Sequence, residues 1–303
     1  MKKFISIFLI AVMVMVIIAG CTNDDNNDNA VGSNSNNEDS FDNSSTINVV
    51  TREEGSGTRG AFVEIVGILE KDANGNKVDR TYSEAIVQNG TNAVMTTVTG
   101  DEYSIGYISL GSLNDTVKAV KVNEVEATAE NILNNSYEVA RPFNLAYKGD
   151  LSPLAKDFFD FILSADGQRI VVEEGYVQVD TQAPDYEGDG TQSGTLVAAG
   201  STSVSPLMEK LVEAYQKLNP EASIEIQSTG SSAGMQSAME GTADIGMASR
   251  ELKDSELAEL TPIVIALDGI AIIVNNNNTL DNLSIDDVKS IYIGETTKWN
   301  DIK

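Results

Sequence analysis

The polar and apolar positions of this chain fall into three regimes. The first is an apolar run, Phe4 to Ala19, preceded by Lys2 and Lys3. A cationic start followed by an apolar stretch too short for a comfortable membrane span is the pattern of a secretory leader, here residues 1–20. The second regime, residues 21–46, is dominated by Asn, Asp and Ser. It can bury too little apolar surface to offset the entropy of ordering, so it is expected to be disordered. As a flexible tether, the 25 residues from Thr22 to Thr46 would reach roughly 25–30 Å. From Ile47 onward the pattern alternates between short apolar runs and helical periodicity.

Within that third regime, Ile47–Val50, Ser104–Ile108, Pro142–Tyr147, Leu196–Ala199 and Ile224–Gln227 read as strands. Ile263–Ala266 and Ala271–Val274 read as two more, near-continuous in apolar character. Helices are expected over Gly60–Glu70, with Phe62, Ile65, Val66 and Leu69 on one face, and over Thr91–Val98. Others are expected over Ser152–Leu163, with Pro153 in its first turn, and over Ser205–Leu218. Asp185–Gly194 is a polar, glycine-rich break. Strands alternating with helices predict sheets covered by helices, an α/β fold.

Composition narrows the chemistry. The 303 residues carry a net charge of −26 and no His. Removing the leader takes away two lysines and no acid, so the remainder is more acidic still. Such a surface excludes nucleic acid, which needs clustered Lys and Arg, and any anion must be bound by local dipoles. With one Cys and no His, zinc, copper and intramolecular disulfides are not expected. The lone cysteine ends the run Ile18-Ala19-Gly20-Cys21. That run resembles a bacterial lipobox, which implies cleavage before Cys21 and acylation of its thiol.

Three turns carry candidate chemistry. Arg52-Glu53-Glu54-Gly55-Ser56-Gly57-Thr58 follows a strand and opens a helix. Gly200-Ser201-Thr202-Ser203 does the same, and so does Ser228-Thr229-Gly230-Ser231-Ser232-Ala233-Gly234. Each sets backbone N–H groups and hydroxyls at a positive helix end. One such turn is an ordinary N-cap. Three in one chain, one with an arginine, point to an oxyanion site. Arg52 would supply charge and paired donors, and Glu54 would hold the guanidinium in place.

Competing motifs lack parts. Gly230-x-Ser232-x-Gly234 matches a hydrolase nucleophile elbow but has no His base. The chain has no phosphate-cradling Gly-x-x-x-x-Gly-Lys. Asp185-x-Glu187-x-Asp189-Gly190 begins like a calcium loop, but its twelfth position is Leu196. No enzyme, metal or cofactor is expected.

"INVVTREEGSGTRGAF" (47–62), "AAGSTSVSPLMEKLVEAY" (198–215), "STGSSAGMQSAMEGTADIGMASREL" (228–252), "IALDGIAIIVN" (265–275) and "LSADGQRIVVEEGYVQV" (163–179) resemble the phosphate-binding protein of bacterial phosphate ABC transporters. The resemblance spans essentially all of 47–303. It implies a two-lobed periplasmic-binding-protein type II fold, with α/β lobes joined by crossover strands. The order is reversed, since the family's usual first half stands at 195–303 and its second at 47–182. The resemblance thus implies circular permutation, or a remnant of tandem copies, with 183–194 joining the old termini. Permutation predicts that the two ends of 47–303 lie together in one lobe. Lobe A would be 47–140 completed by 271–303, and lobe B 141–270.

Carried over by position, the resemblance implies ligand contacts from Arg52, Ser56, Gly57, Thr58, Thr202, Ser203 and Ser231. Ser249 stands near the place where some family members put an Asp that accepts a proton from the ligand. Glu54 is a possible substitute for that acid. The implied function is extracytoplasmic capture of inorganic phosphate by a lipid-anchored monomer for an ABC permease and its ATPase. Sulfate or molybdate binding, a surface sensor and a phosphatase-like enzyme stay open as alternatives.

Overall fold

The computed structural model describes residues 41–302. The leader, Cys21 and most of the expected tether lie outside them. The chain runs β1 (Asn48–Arg52), α1 (Gly57–Ile65), β2 (Leu69–Lys71), β3 (Lys77–Asp79), β4 (Ile86–Gln88), α2 (Thr91–Gly100), β5 (Ser104–Ser109) and β6 (Lys118–Val122). Next come α3 (Ala129–Leu133), β7 (Ala140–Tyr147), α4 (Pro153–Leu163), α5 (Ala165–Glu173), β8 (Ser193–Gly200), α6 (Ser205–Leu218) and β9 (Glu221–Ser228). It ends with α7 (Ser231–Glu240), β10 (Ile245–Ala248), α8 (Asp254–Leu257), β11 (Thr261–Val274), β12 (Asn282–Leu283) and α9 (Ile285–Tyr292).

The main sheet is ordered β4-β1-β5-β11-β7-β10-β8-β9, with β6 also on β11 and β12 on β6. β11 is its spine. Thr261–Gly269 pairs antiparallel with β7, and Ile270–Val274 pairs with β5 on one edge and, from Ile272, with β6 on the other. Both faces of its second half are covered. Ile270, Ile272 and Val274 join a core with Phe62, Tyr107, Tyr292 and Trp299, while Ala271 and Ile273 face Val50, Val94, Val98 and Ile108. A strand buried on both faces must read as a continuous apolar run. The other lobe has its own core, built on Phe143, Phe158, Phe161, Leu211, Tyr215 and Met247. α4 presents Leu154, Phe158, Phe161 and Ile162 to it, as its periodicity predicts, with Ser152 capping its start.

Several expectations change. Ile263–Ala266 and Ala271–Val274 are not two strands. Asp268 and Gly269 between them stay paired with Arg141 and Ala140, and a bulge near Ile265 absorbs the irregularity. The first helix starts at Gly57 and stops at Ile65, because Gly67 turns the chain at φ 77°. Leu69 and Glu70 belong instead to a hairpin, β2 with β3. The tether ends earlier than residue 46. Phe41 packs on Tyr103 and Trp299 with ring centroids 5.2 and 5.6 Å away, and Thr46 bridges to Lys298. Ile47 N–H donates to Thr297 O at 2.8 Å, so the two ends of the folded region meet. Within 183–194, Tyr186 packs edge-on against Phe161 and shares Asp157 with Tyr215.

A candidate oxyanion site at converging helix starts

Arg52 ends β1 and is 2% exposed. Its backbone is gripped from two sides. Arg52 N–H donates to the Tyr107 hydroxyl at 3.1 Å, and the Arg59 guanidinium donates to Arg52 O at 3.2 Å. Tyr107 is itself stacked on Phe62, with centroids 3.9 Å apart, so the strand end is tied to the core. The side chain is held in a fork. Nε donates to Glu53 Oε2 at 2.7 Å and Nη2 to Glu53 Oε1 at 2.8 Å. Gly90 N–H also donates to Glu53 Oε2, at 3.3 Å. Burial pushes the Glu53 carboxyl up, but the hydrogen bond and charge of Arg52 outweigh it, so the group sits below its ordinary value. The carboxylate that grips Arg52 is therefore Glu53. Glu54, expected in that role, is exposed, because the turn toward Ser56 carries it outward.

Around this cation lies a connected set of hydroxyls. Arg52 Nη2 donates to Thr202 Oγ1 at 3.1 Å. Thr58 Oγ1 meets Ser203 Oγ at 2.9 Å and Ser249 Oγ at 3.5 Å. Ser201 Oγ donates to Ser249 Oγ at 2.9 Å, and Ser249 N–H donates to Ser231 Oγ at 3.2 Å. Thr91 Oγ1 reaches Ser203 Oγ at 3.2 Å. Thr58, Ser201, Ser203, Ser231 and Ser249 are all 0–2% exposed. Ser56 caps α1, its hydroxyl accepting from Arg59 N–H at 3.3 Å.

Gly57 explains how two distant segments come this close. A Cβ there would lie 2.3 Å from Ser231 Oγ and 2.7 Å from Ser249 Oγ, so only glycine lets the start of α1 meet the start of α7. Gly230, at φ 91°, turns β9 into α7 and leaves that helix without a side-chain cap. Ser232 N–H in its first turn donates to Gly55 O at 3.0 Å, which ties the start of α7 to the Arg52 loop.

All the expected ligand-contact positions thus fall in one neighbourhood, while Cys21 lies outside the described residues. Besides Glu53, two members lie outside the three expected turns. Thr91 opens α2 behind Gly90, also uncapped by a side chain, which adds a helix start to the three expected. A Gly before a Thr-led amphipathic run was the available signal. Arg250, 7% exposed, pairs with Glu256 through two contacts of 2.7 Å and touches Ser232 at 3.4 Å. Nothing in its short motif marked it as buried.

The chain matches the model of the PBP superfamily domain over residues 26–166 and 186–303. It is 46% identical over 307 residues to phosphate-binding protein PstS 2 of Streptococcus agalactiae serotype V, covering 100% of this chain and 99% of that protein. It is 48% identical over 260 residues to phosphate-binding protein PstS 2 of Streptococcus pneumoniae serotype 4, covering 86% and 89%. Among solved structures, a phosphate-binding protein of a phosphate ABC transporter from Streptococcus pneumoniae TIGR4 aligns with a TM-score of 0.69 at 47% identity. That alignment covers 86% of this chain and 100% of the other. The chain belongs to the PBP superfamily and, within it, to the phosphate-binding protein family.

Proposed function

We propose that this chain captures inorganic phosphate outside the cytoplasmic membrane and delivers it to an ABC transporter permease with its ATPase. The observation that carries this reading is the Arg52 guanidinium bonded across to Thr202, at the head of a buried hydroxyl cluster fed by helix starts from both halves of the chain. Positive helix ends, hydroxyl donors and one arginine suit a tetrahedral anion and little else. The names of the streptococcal relatives support phosphate as that anion.

In this reading Arg52, Ser56, Gly57, Thr58, Thr202, Ser203, Ser231 and Ser249 are the ligand contacts, with Thr91 added. The lobes are 47–140 with 271–303, and 141–270. The full-length match to the Streptococcus agalactiae relative means the two proteins share one order of elements. Cys21 anchors a monomer to the membrane by lipid. Among the described residues no helix is long and apolar enough to cross a membrane.

Calorimetry of the full-length chain with phosphate tests the proposal. Saturable heat is expected. Arg52→Ala should weaken binding by about 2–5 kcal/mol, because it removes one partner of a buried charge pair. Absence of binding, or an Arg52→Ala variant of full affinity, would refute it. Phosphate release from a phosphomonoester by the purified chain would favour an enzyme instead.

A further inference from the structure

The stretch between α1 and β4 forms a hairpin that stands outside the main sheet. β2 and β3 pair only with each other, and β3 is exposed along its whole length. None of the proposed ligand contacts lies on this hairpin. What it brings toward the site is one carboxylate. Asp79 ends β3, and its Oδ2 accepts from Arg59 Nε at 3.2 Å and Arg59 Nη2 at 2.9 Å. Its Oδ1 accepts from Thr81 N–H at 2.9 Å and from the Thr81 hydroxyl. Burial pushes this carboxyl up, but the Thr81 bonds and the Arg59 charge outweigh it and hold the group below its ordinary value. Both oxygens are engaged, so the carboxylate is fixed in place.

With Nε and Nη2 on Asp79, Arg59 has Nη1 left, and this donates to Arg52 O at 3.2 Å. That carbonyl belongs to the peptide unit joining Arg52 to Glu53. The N–H of the same unit, on Glu53, donates to Gln88 O at 3.2 Å. One peptide unit thus links both halves of the buried fork, and Arg59 holds its oxygen. A turn of that unit would swing the guanidinium and the carboxylate relative to each other and away from Thr202. A guanidinium is planar and rigid, so grasping Asp79 with one edge fixes where its remaining nitrogen points.

We infer that Arg59 is a positioning residue for oxyanion binding, and that the β2–β3 hairpin serves to deliver the Asp79 carboxylate that orients it. Arg59 acts through Arg52 and Glu53 and not on the anion. The inference rests on the oxyanion reading above. The competing role for this cation is steering an anion through the field of a chain of net charge −26, and it makes the opposite prediction for Asp79. Steering is weakened by losing the cation and strengthened by losing a neighbouring acid, and both changes fall on the association rate. A positioning pair fails whichever partner is removed, and the failure falls on the dissociation rate.

The test uses the full-length chain and inorganic phosphate. Kd comes from equilibrium dialysis, and the dissociation rate from release of bound radiolabelled phosphate into unlabelled excess. Arg59→Met and Asp79→Ala should each speed dissociation about tenfold, the size of one hydrogen bond to a charged group, with association changed less than about twofold. The double variant should be no worse than either single one, because the two residues act in one network. Lys77→Ala cuts the Lys77–Glu64 pair of the same hairpin, 3.2 Å long, without touching Arg59, and should leave both rates unchanged. Slower association in Arg59→Met with faster association in Asp79→Ala would overturn the inference in favour of steering. A Lys77→Ala loss equal to that of Asp79→Ala would overturn it in favour of a merely structural hairpin. Natural rates in both Arg59→Met and Asp79→Ala would overturn it and leave the oxyanion reading standing. A natural chain that binds no phosphate would sink that underlying reading.

Discussion

Arg52 and Arg141 are both nearly sealed from solvent, at 2% and 3% exposure, and both face a carboxylate. Arg52 meets Glu53 through two atoms and passes a further bond to Thr202. Arg141, on β7, meets Asp268, on β11, through one atom at 3.0 Å. Arg141 Nε and Nη1, Asp268 Oδ1 and the nearby Ser109 and Tyr176 hydroxyls have no hydrogen-bond partner among the described residues. The first pair heads the proposed oxyanion site, the second sits where the crossover strands pass from one core to the other. A buried pair contributes to stability only when its remaining donors and acceptors are satisfied. The site pair comes closer to that condition than the crossover pair, whose unpartnered atoms are buried. Burial of a charge therefore reads as preorganisation in one case and as a local cost in the other.

Breaking the crossover pair gives the largest expected effect on stability. Asp268→Asn strands a buried guanidinium and should cost about 3–5 kcal/mol, while Arg141→Met with Asp268→Leu together should be neutral or more stable by about 1–4 kcal/mol. Urea unfolding of the single and double variants checks this. A double variant as damaged as the single would show that the crossover pair is as well satisfied as the site pair.

The same pair carries a pH signature. Burial, partly countered by Arg141, pushes the Asp268 carboxyl up to about 6. A raised folded pKa means that the native state holds its proton longer than the unfolded chain. The contribution is therefore fully present below about pH 4 and is lost as pH rises through about 6. Glu53, held below its ordinary value, has the opposite sign and loses stability as pH falls. Subtracting the double variant's unfolding curve from that of the natural chain isolates Asp268. The difference should decline between about pH 4 and pH 6, by on the order of 1–3 kcal/mol. A flat difference would mean that Asp268 titrates normally.

The contrast between these arginines also marks what was legible in the sequence. Arg52 was legible because its neighbours are turn residues. Gly55, Ser56 and Gly57 after an apolar strand announce a helix start with donors to spare. Arg141 sits in Ala-Arg-Pro-Phe, between apolar residues, and local pattern does not say that its partner lies 127 positions away. For the same reason β11 reads as two strands in the sequence, since only the fold pairs the intervening Asp268 and Gly269 with Arg141 and Ala140. The strand-helix alternation and the long helices were legible through their periodicity. The hairpin of β2 and β3 was not, because short exposed strands carry no alternation to detect. Glu53 and Glu54 were indistinguishable, because the choice between adjacent acids depends on a turn only the fold defines.

That last choice is also the finest test of the comparison. If preorganisation by a two-point carboxylate is what separates Arg52 from Arg141, then Glu53→Gln should weaken oxyanion binding. The amide keeps the size, loses the charge and offers one acceptor where two were used. The loss should be about 1–2 kcal/mol, within the range for a hydrogen bond to a charged group. Glu54→Gln, one residue along but exposed, should fall within about 0.5 kcal/mol of the natural chain. Calorimetric titration of both variants with phosphate measures the difference directly. Equal losses would mean that overall negative charge near the loop matters and not the grip on Arg52. A loss confined to Glu54→Gln would restore the exposed acid as the partner of Arg52 when the ligand is bound. With the loss confined to Glu53→Gln, the cation of the site is held ready by one specific neighbour, as the cation at the crossover is not.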